Sequence, residues 1–241
     1  MRGVGKPGAL TVRGLTKRFA GVTALAEVDL EVRAGEILAV VGPNGSGKTT
    51  LFNVISGFYR PTTGTVVFDG VPLTGKKPDR INQLGLARTF QQAMAFTTGT
   101  VRENLEIAQL AHTDDPGWRA ELIALCGLTE VAETMCAGLP YGLQRKLGVA
   151  LGLATRPRLM LLDEPAAGLS DTDADDLAAL ITSLPQQGVS VACIDHNLPF
   201  LLPIADRVVV LDAGRKIFDG APEEARGSAA VVEAYLGESD A

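Results

Sequence analysis

The eight residues Gly42-Pro43-Asn44-Gly45-Ser46-Gly47-Lys48-Thr49 constrain this chain more than any other stretch. They satisfy the pattern G-x-x-x-x-G-K-[ST], follow the apolar run Ile37 to Val41, and precede Leu51, Val54 and Ile55 at helical spacing. Strand, glycine-rich turn and helix in that order are the context of a P-loop, and Gly57 supplies the helix with a C-terminal stop. Glycines let successive backbone N–H groups turn inward around phosphate oxygens, and the helix N-terminus adds its partial positive charge. Lys48 is placed to reach β- and γ-phosphates. Thr49 is placed to offer its hydroxyl to Mg²⁺, which prefers oxygen ligands.

Other short apolar runs read as buried strands: Thr65 to Phe68, Leu159 to Leu162, Val189 to Ile194 and Val208 to Leu211. A helix is expected from near Ser170 or Asp171, either of which suits an N-cap, with Asp173, Asp175 and Asp176 near its positive end. Its core face is Leu177, Leu180, Ile181 and Leu184. Between Gln91 and about Leu153 the strand pattern gives way to helical patterns, among them Val101 to Leu110 and Trp118 to Cys126. Alternating strands and helices on either side imply a mainly parallel sheet covered by helices, with a helical subdomain mounted on it. Beyond Gly214 a short strand around Lys216 to Phe218 and a small helix around Val231 to Leu236 are expected.

Composition excludes several classes. With 46% hydrophobic and 21% charged residues the chain is globular in type, and its net charge of −6 argues against a protein that coats nucleic acid. Cys126, Cys136 and Cys193 are an odd number without metal-ligand spacing, which fits a reducing compartment. Met1 to Leu15 holds no long apolar stretch, so no ordinary secretory signal is expected. No run approaches the ~20 apolar residues of a membrane span. Work at a membrane would therefore need a docking partner.

A second anchor is Leu159-Met160-Leu161-Leu162-Asp163-Glu164, a buried strand ending in two carboxylates, which is the Walker-B pattern. Adjacent residues of a regular strand point to opposite faces, so the two acids take different roles if the strand stays regular through both. Asp163 would face Mg²⁺ through water, and Glu164, at the strand's exit, would polarise the attacking water.

From about Ala9 to Leu236 the chain resembles the ATPases of ABC transporters, with the motifs in that family's order. The resemblance implies that Phe19, in Lys17-Arg18-Phe19, stacks on adenine and that the phosphate-binding run extends to Thr50. It implies that Gln91, in Ala87-Arg88-Thr89-Phe90-Gln91, is the glutamine that touches Mg²⁺ and relays nucleotide state toward a permease. His196, in Ile194-Asp195-His196, matches the switch histidine that contacts the γ-phosphate, while His112 receives no role. Gly57-Phe58-Tyr59-Arg60-Pro61, Asp163-Glu164-Pro165-Ala166-Ala167-Gly168-Leu169 and Ala234-Tyr235-Leu236-Gly237 look like the importers for branched-chain and related amino acids. Lipopolysaccharide-export ATPases and urea or amide importers share portions of these.

Two departures from the family stand out. Its L-S-G-G-Q signature, which completes the partner's nucleotide site, appears as Leu139-Pro140-Tyr141-Gly142-Leu143, followed by Gln144 and Arg145. Pro140 replaces the serine whose hydroxyl reaches the γ-phosphate across the dimer, and it has no N–H to offer instead. Leu143 replaces the glutamine. A helix is still expected, with Pro140 in its first turn and Leu143, Leu147, Ala150, Leu151 and Ala154 as one apolar stripe. Ser170 stands where many members carry aspartate.

The expected fold is α/β: a P-loop, RecA-like ABC ATPase core with a mainly parallel sheet, an antiparallel β subdomain and an inserted helical subdomain. One domain is expected over 9–241, with the helical part at about 92–153 and a tail at about 215–241. The resemblance implies ATP hydrolysis with Mg²⁺ that energises an importer for branched-chain or related amino acids. Expected partners are transmembrane permease subunits, a second ABC ATPase subunit of the same or a related chain and, indirectly, a substrate-binding protein, with no nucleic acid. The expected place is the cytoplasmic face of the membrane, reached through the permease. The altered signature keeps open a regulatory ATP-binding subunit with negligible hydrolysis, and the shared motifs keep open an exporter or urea/amide importer ATPase.

Overall fold

The computed structural model describes residues 6–89, 95–110 and 114–236. In chain order the elements are β1 (Leu10–Phe19), β2 (Val22–Val32), β3 (Ile37–Val41), α1 (Lys48–Ile55), β4 (Thr63–Phe68), β5 (Val71–Pro72), α2 (Pro78–Gln83), β6 (Leu86–Arg88), α3 (Val101–Leu110), α4 (Pro116–Leu125), α5 (Tyr141–Leu153) and β7 (Leu159–Asp163). They continue with α6 (Asp171–Ser183), β8 (Ser190–Ile194), α7 (Leu198–Leu201), β9 (Arg207–Asp212), β10 (Arg215–Gly220), α8 (Pro222–Gly227) and α9 (Ala229–Leu236).

Every residue of β3, β7 and β8 is buried, as strands apolar on both faces must be. They lie in a sheet of order β10-β9-β3-β8-β7-β6, in which all neighbours are parallel except the antiparallel β9–β10 pair. A second sheet, β2-β1-β4-β5, is wholly antiparallel. Alternate residues of β3 feed two separate cores. Ile37, Ala39 and Val41 pack with Leu105 of α3, Leu122 of α4, Leu147 of α5 and Leu177 of α6. Leu38 and Val40 pack with Leu51, Phe52 and Ile55 of α1 and with Leu10, Val12 and Phe68 of the antiparallel sheet. Residues two apart share a face, so Asp163 follows Leu159 and Leu161 onto the α1 side.

The long strands β1 and β2 are absent from the strands expected by apolar runs. Arg13, Lys17, Asp29 and Glu31 interrupt those runs, and the β1–β2 pairing shifts register at three places between Val12 and Arg18. Bulged, half-exposed strands lose the clean alternation that identifies a strand.

Ser170 caps α6, its hydroxyl accepting from the Asp173 N–H at 3.2 Å, and Leu177, Leu180, Ile181 and Leu184 are buried. Asp115 caps α4 by accepting from the Trp118 N–H at 3.0 Å, so that helix opens at Pro116. Pro140 is not in the first turn of α5. It is the N-cap, extended at φ −52° and ψ 148°, and the first turn opens at Tyr141. The fixed φ and missing N–H of proline suit either position. Gln91 and Phe90 lie outside the described residues, as do His112 and Gly237. Among the described residues no helix is long and apolar enough to cross a membrane.

Candidate nucleotide site

Parallel strands bring the ends that follow them to one edge of the sheet, where open α/β folds bind ligands. The loop after β3 is Gly42 to Gly47, the turn after β8 carries His196, the turn after β7 carries Glu164, and β6 ends at Arg88. β3, β8, β7 and β6 are successive neighbours in the sheet, so the expected P-loop, switch histidine and terminal acids leave it side by side.

The P-loop is shaped by close approach. A side chain on Gly42, at φ 145°, would stand 2.0 Å from the Leu211 carbonyl oxygen, and one on Gly47, at φ 104°, would stand 2.6 Å from that of Ala24. Only glycine fits either position. The Lys48 ammonium donates to the carbonyl oxygens of Gly42 and Pro43 at 2.7 and 2.8 Å, and lies 3.4 Å from Ser46 Oγ. Thr49 is exposed and Thr50 half-buried in the first turn of α1, while Asn44 and Gly45 are exposed at the loop's tip.

β7 does not stay regular through both acids. It ends at Asp163, which pairs with Ile194 of β8, and Glu164 turns out of the strand at φ 49° while its N–H donates to the Ile194 carbonyl at 2.7 Å. A left-handed glutamate is backbone strain, worth about 1–3 kcal/mol when the surroundings hold it there. Asp163 Oδ2 accepts from Arg88 Nη2 at 2.8 Å.

His196 is 63% exposed, and its Nδ1 lies 3.8 Å from Asp195 Oδ1. Asp195 directly precedes the histidine, and the sequence alone gives it no role. The structure buries it completely, with Oδ2 accepting from the Ala166 N–H at 3.0 Å and Oδ1 from the Asn197 N–H at 2.9 Å. Burial pushes its carboxyl above the ordinary range, although both N–H donors and His196 pull the other way. It ties the histidine's turn to the loop after β7. The sequence alone gives Arg88 no role either. What marked both in the sequence was a charged residue at the exit of an apolar run, beside an expected site residue.

Phe19 is half-buried, with neighbours already on its ring. Its ring meets Tyr59 edge-on at 5.2 Å and 76°, and the Lys17 ammonium lies 4.6 Å over it. A purine stacked on that face would take the ammonium's place.

In the signature segment Leu139 and Gly142 are buried, Leu143 and Gln144 half-buried, and Pro140 and Tyr141 exposed. Gln144 Nε2 donates to the Leu139 carbonyl at 2.8 Å. The Tyr141 hydroxyl and Arg145 Nη2 both donate to the Ala167 carbonyl, at 3.0 and 2.9 Å, so α5 grips the loop that follows Glu164.

Residues 25–167 match the family described as ABC transporter, and residues 215–241 match the branched-chain amino acid ATP-binding cassette transporter segment. The chain is 39% identical to the high-affinity branched-chain amino acid transport ATP-binding protein BraF of Pseudomonas aeruginosa, over 95% of this chain and 98% of that one. It is 37% identical to the corresponding protein LivG of Salmonella typhimurium, over 95% and 98%. A solved ATP-binding cassette of an ABC transporter, in its ADP conformation, superposes with a TM-score of 0.87 at 27% identity, covering 95% of this chain and 99% of that one. Sequence, sheet order and P-loop context agree, and the chain belongs to the ABC transporter family as one of its ATP-binding cassettes.

Proposed function

We propose that this chain binds and hydrolyses ATP with Mg²⁺ to energise a membrane importer for branched-chain or related amino acids, docked at the cytoplasmic face on permease subunits that receive cargo from a substrate-binding protein. The observation that carries the reading is the row of motif residues along one edge of the parallel sheet: Gly42 to Thr49, His196, Glu164 and Asp163 on adjacent strand ends. The names of the relatives supply the cargo class.

The donor set suits magnesium. A threonine hydroxyl and a strand-end carboxylate are hard oxygen donors, and no cluster of three or more His, Cys, Asp or Glu among the described residues would hold a metal unaided. That suits an ion held partly by phosphate oxygens, with Thr49, Asp163 and Gln91 as its protein side. Mg²⁺, when bound, supplies charge neutralisation at the phosphates. Lys48 and backbone N–H groups of the Gly42 to Thr50 run bind and orient the phosphates, Pro43 having none to give, Phe19 takes the adenine, His196 meets the γ-phosphate, and Glu164 accepts the proton of the attacking water. Such chemistry needs positioning and charge more than covalent help.

If the partner is a related cassette with an intact signature, the two nucleotide sites are unequal. Pro140 caps α5 without a side-chain acceptor or donor, so the partner's nucleotide would meet Gly142 and backbone groups instead of a hydroxyl. The partner, a second copy or a related cassette, completes this chain's Lys48 and Glu164 site with its own signature. Isolation of the tagged chain from its native membrane should bring permease subunits and a second cassette, and reconstituted vesicles should take up labelled leucine until Lys48→Ala removes the activity. Co-isolation without permease, or uptake that survives Lys48→Ala, would end this reading.

A further inference from the structure

Arg88 closes β6 and is the residue through which three elements meet. Its Nη2 donates to Asp163 Oδ2 at 2.8 Å, and its Nη1 donates to Asn53 Oδ1 at 2.8 Å and Ser56 Oγ at 3.0 Å. Asp163 ends β7, Asn53 lies in α1, and Ser56 is the C-cap of that helix. The guanidinium carbon also stands 6.0 and 5.8 Å from the ring centres of Phe52 and Phe58. The side chains of Arg88 and Asp163 are 6% and 8% exposed, so the pair is nearly dry. One fixed planar cation therefore ties the Walker-B carboxylate to the helix that starts at the P-loop.

We propose that Arg88 is a positioning residue for the metal-facing acid: by holding Asp163 Oδ2 it fixes the direction in which Oδ1 is offered to the metal, and so sets the magnesium requirement of nucleotide binding. The inference rests on the reading of Asp163 as that acid. Two effects of opposite sign follow from the geometry. A guanidinium repels a nearby cation, and it also orients the carboxylate. Orientation is the larger effect here because Asn53 and Ser56 hold the fork in place independently of Asp163, which makes the arginine a rigid anchor instead of a mobile charge. Outer partners that orient a metal-binding carboxylate are typically worth roughly 10- to 100-fold in metal affinity.

The test is binding of a fluorescent ATP analogue to the full chain, titrated with magnesium and repeated in excess EDTA, for the parent, Arg88→Met, Arg88→Lys, Asp163→Asn and the Arg88→Met/Asp163→Asn double variant. Arg88→Met should need roughly 10- to 100-fold more magnesium for half-maximal binding, with affinity in EDTA unchanged. Arg88→Lys should fall between, because an ammonium can meet Asp163 but cannot fork to Asn53 and Ser56 as well. The double variant should be no worse than Asp163→Asn alone. A parental magnesium requirement in folded Arg88→Met overturns the proposal, as does a lowered one, which would make Arg88 a competing cation. Equal losses with and without magnesium would reduce it to a packing residue and also overturn the proposal. Should Arg88→Met fail to fold, a parental requirement in Arg88→Lys decides against it. A parental requirement in Asp163→Asn removes the underlying assignment of Asp163 instead, which separates that failure from a failure of Arg88.

Discussion

Asp195 has no contact with solvent and two backbone N–H groups to satisfy. Its carboxyl is pushed up by burial, so between the ordinary value of about 4 and its raised one the native state holds a proton that the unfolded chain releases. Stability then falls as pH rises through that window. Denaturant unfolding at several pH values should show the parent losing stability relative to Asp195→Asn as pH rises there, and a pH-independent difference would contradict the account. Removing the acceptor altogether, in Asp195→Ala, should cost about 1–3 kcal/mol for each orphaned N–H. Lys48 makes a plainer prediction at the same scale. Lys48→Ala should abolish useful nucleotide affinity in a fluorescence titration, and parental affinity would remove its role. The places of Lys48, Thr49 and Glu164 at one edge of the sheet were legible, because the motifs fix which strand ends they follow. Arg88 and Asp195 were not, because their partners, Asp163, Asn53 and Ala166, are set by which strands lie side by side. Spacing along the chain carries no such information.

Helix α5 shows how an element can be built correctly around an altered motif. Leu147, Val149, Ala150 and Leu153 are buried, and the helix grips its neighbours through Tyr141 and Arg145 on the Ala167 carbonyl and Lys146 on Asp176 at 2.7 Å. A side chain on Gly142 would stand 2.3 Å from Asp173 Oδ1, so the helix start and the α6 start are in direct contact. The scaffold of the signature is thus present while Pro140 lacks the hydroxyl. A lost hydrogen bond to a charged phosphate is worth roughly 1.5–3 kcal/mol, or about ten- to a hundred-fold in rate if felt only in the transition state. Pro140→Ser with Leu143→Gln should therefore accelerate phosphate release at the partner's site in the assembled transporter, measured in single turnover with the other site disabled. No acceleration when chemistry limits the rate would mean that Gly142 and its neighbours already suffice. At this scale β3, β7, β8 and β9 were legible, being apolar runs buried on both faces. β1 and β2 were hidden by their charges and bulges, and Pro140 was misplaced by one position because proline suits either side of a helix start.

The whole molecule has a net charge of −6 and, among the described residues, no helix able to span a membrane. It should show no strong binding to protein-free liposomes at physiological salt, because its net negative charge gives it no excess of basic residues for anionic lipid. Strong flotation with such vesicles would contradict docking through a permease. The fold class was legible at this scale because the P-loop demands a strand, a turn and a helix in fixed order, and alternating elements demand a parallel sheet. The pairing of that sheet with an antiparallel one came from resemblance. Glu164, the acid beyond the last strand residue of β7, is proposed as the general base, and single-turnover hydrolysis in the assembled transporter with Glu164→Gln isolates its role. Nucleotide binding should persist while hydrolysis at this chain's site slows by roughly 10²–10⁴-fold, the usual worth of a general base. Hydrolysis at the parental rate in that variant would remove Glu164 from the role of base.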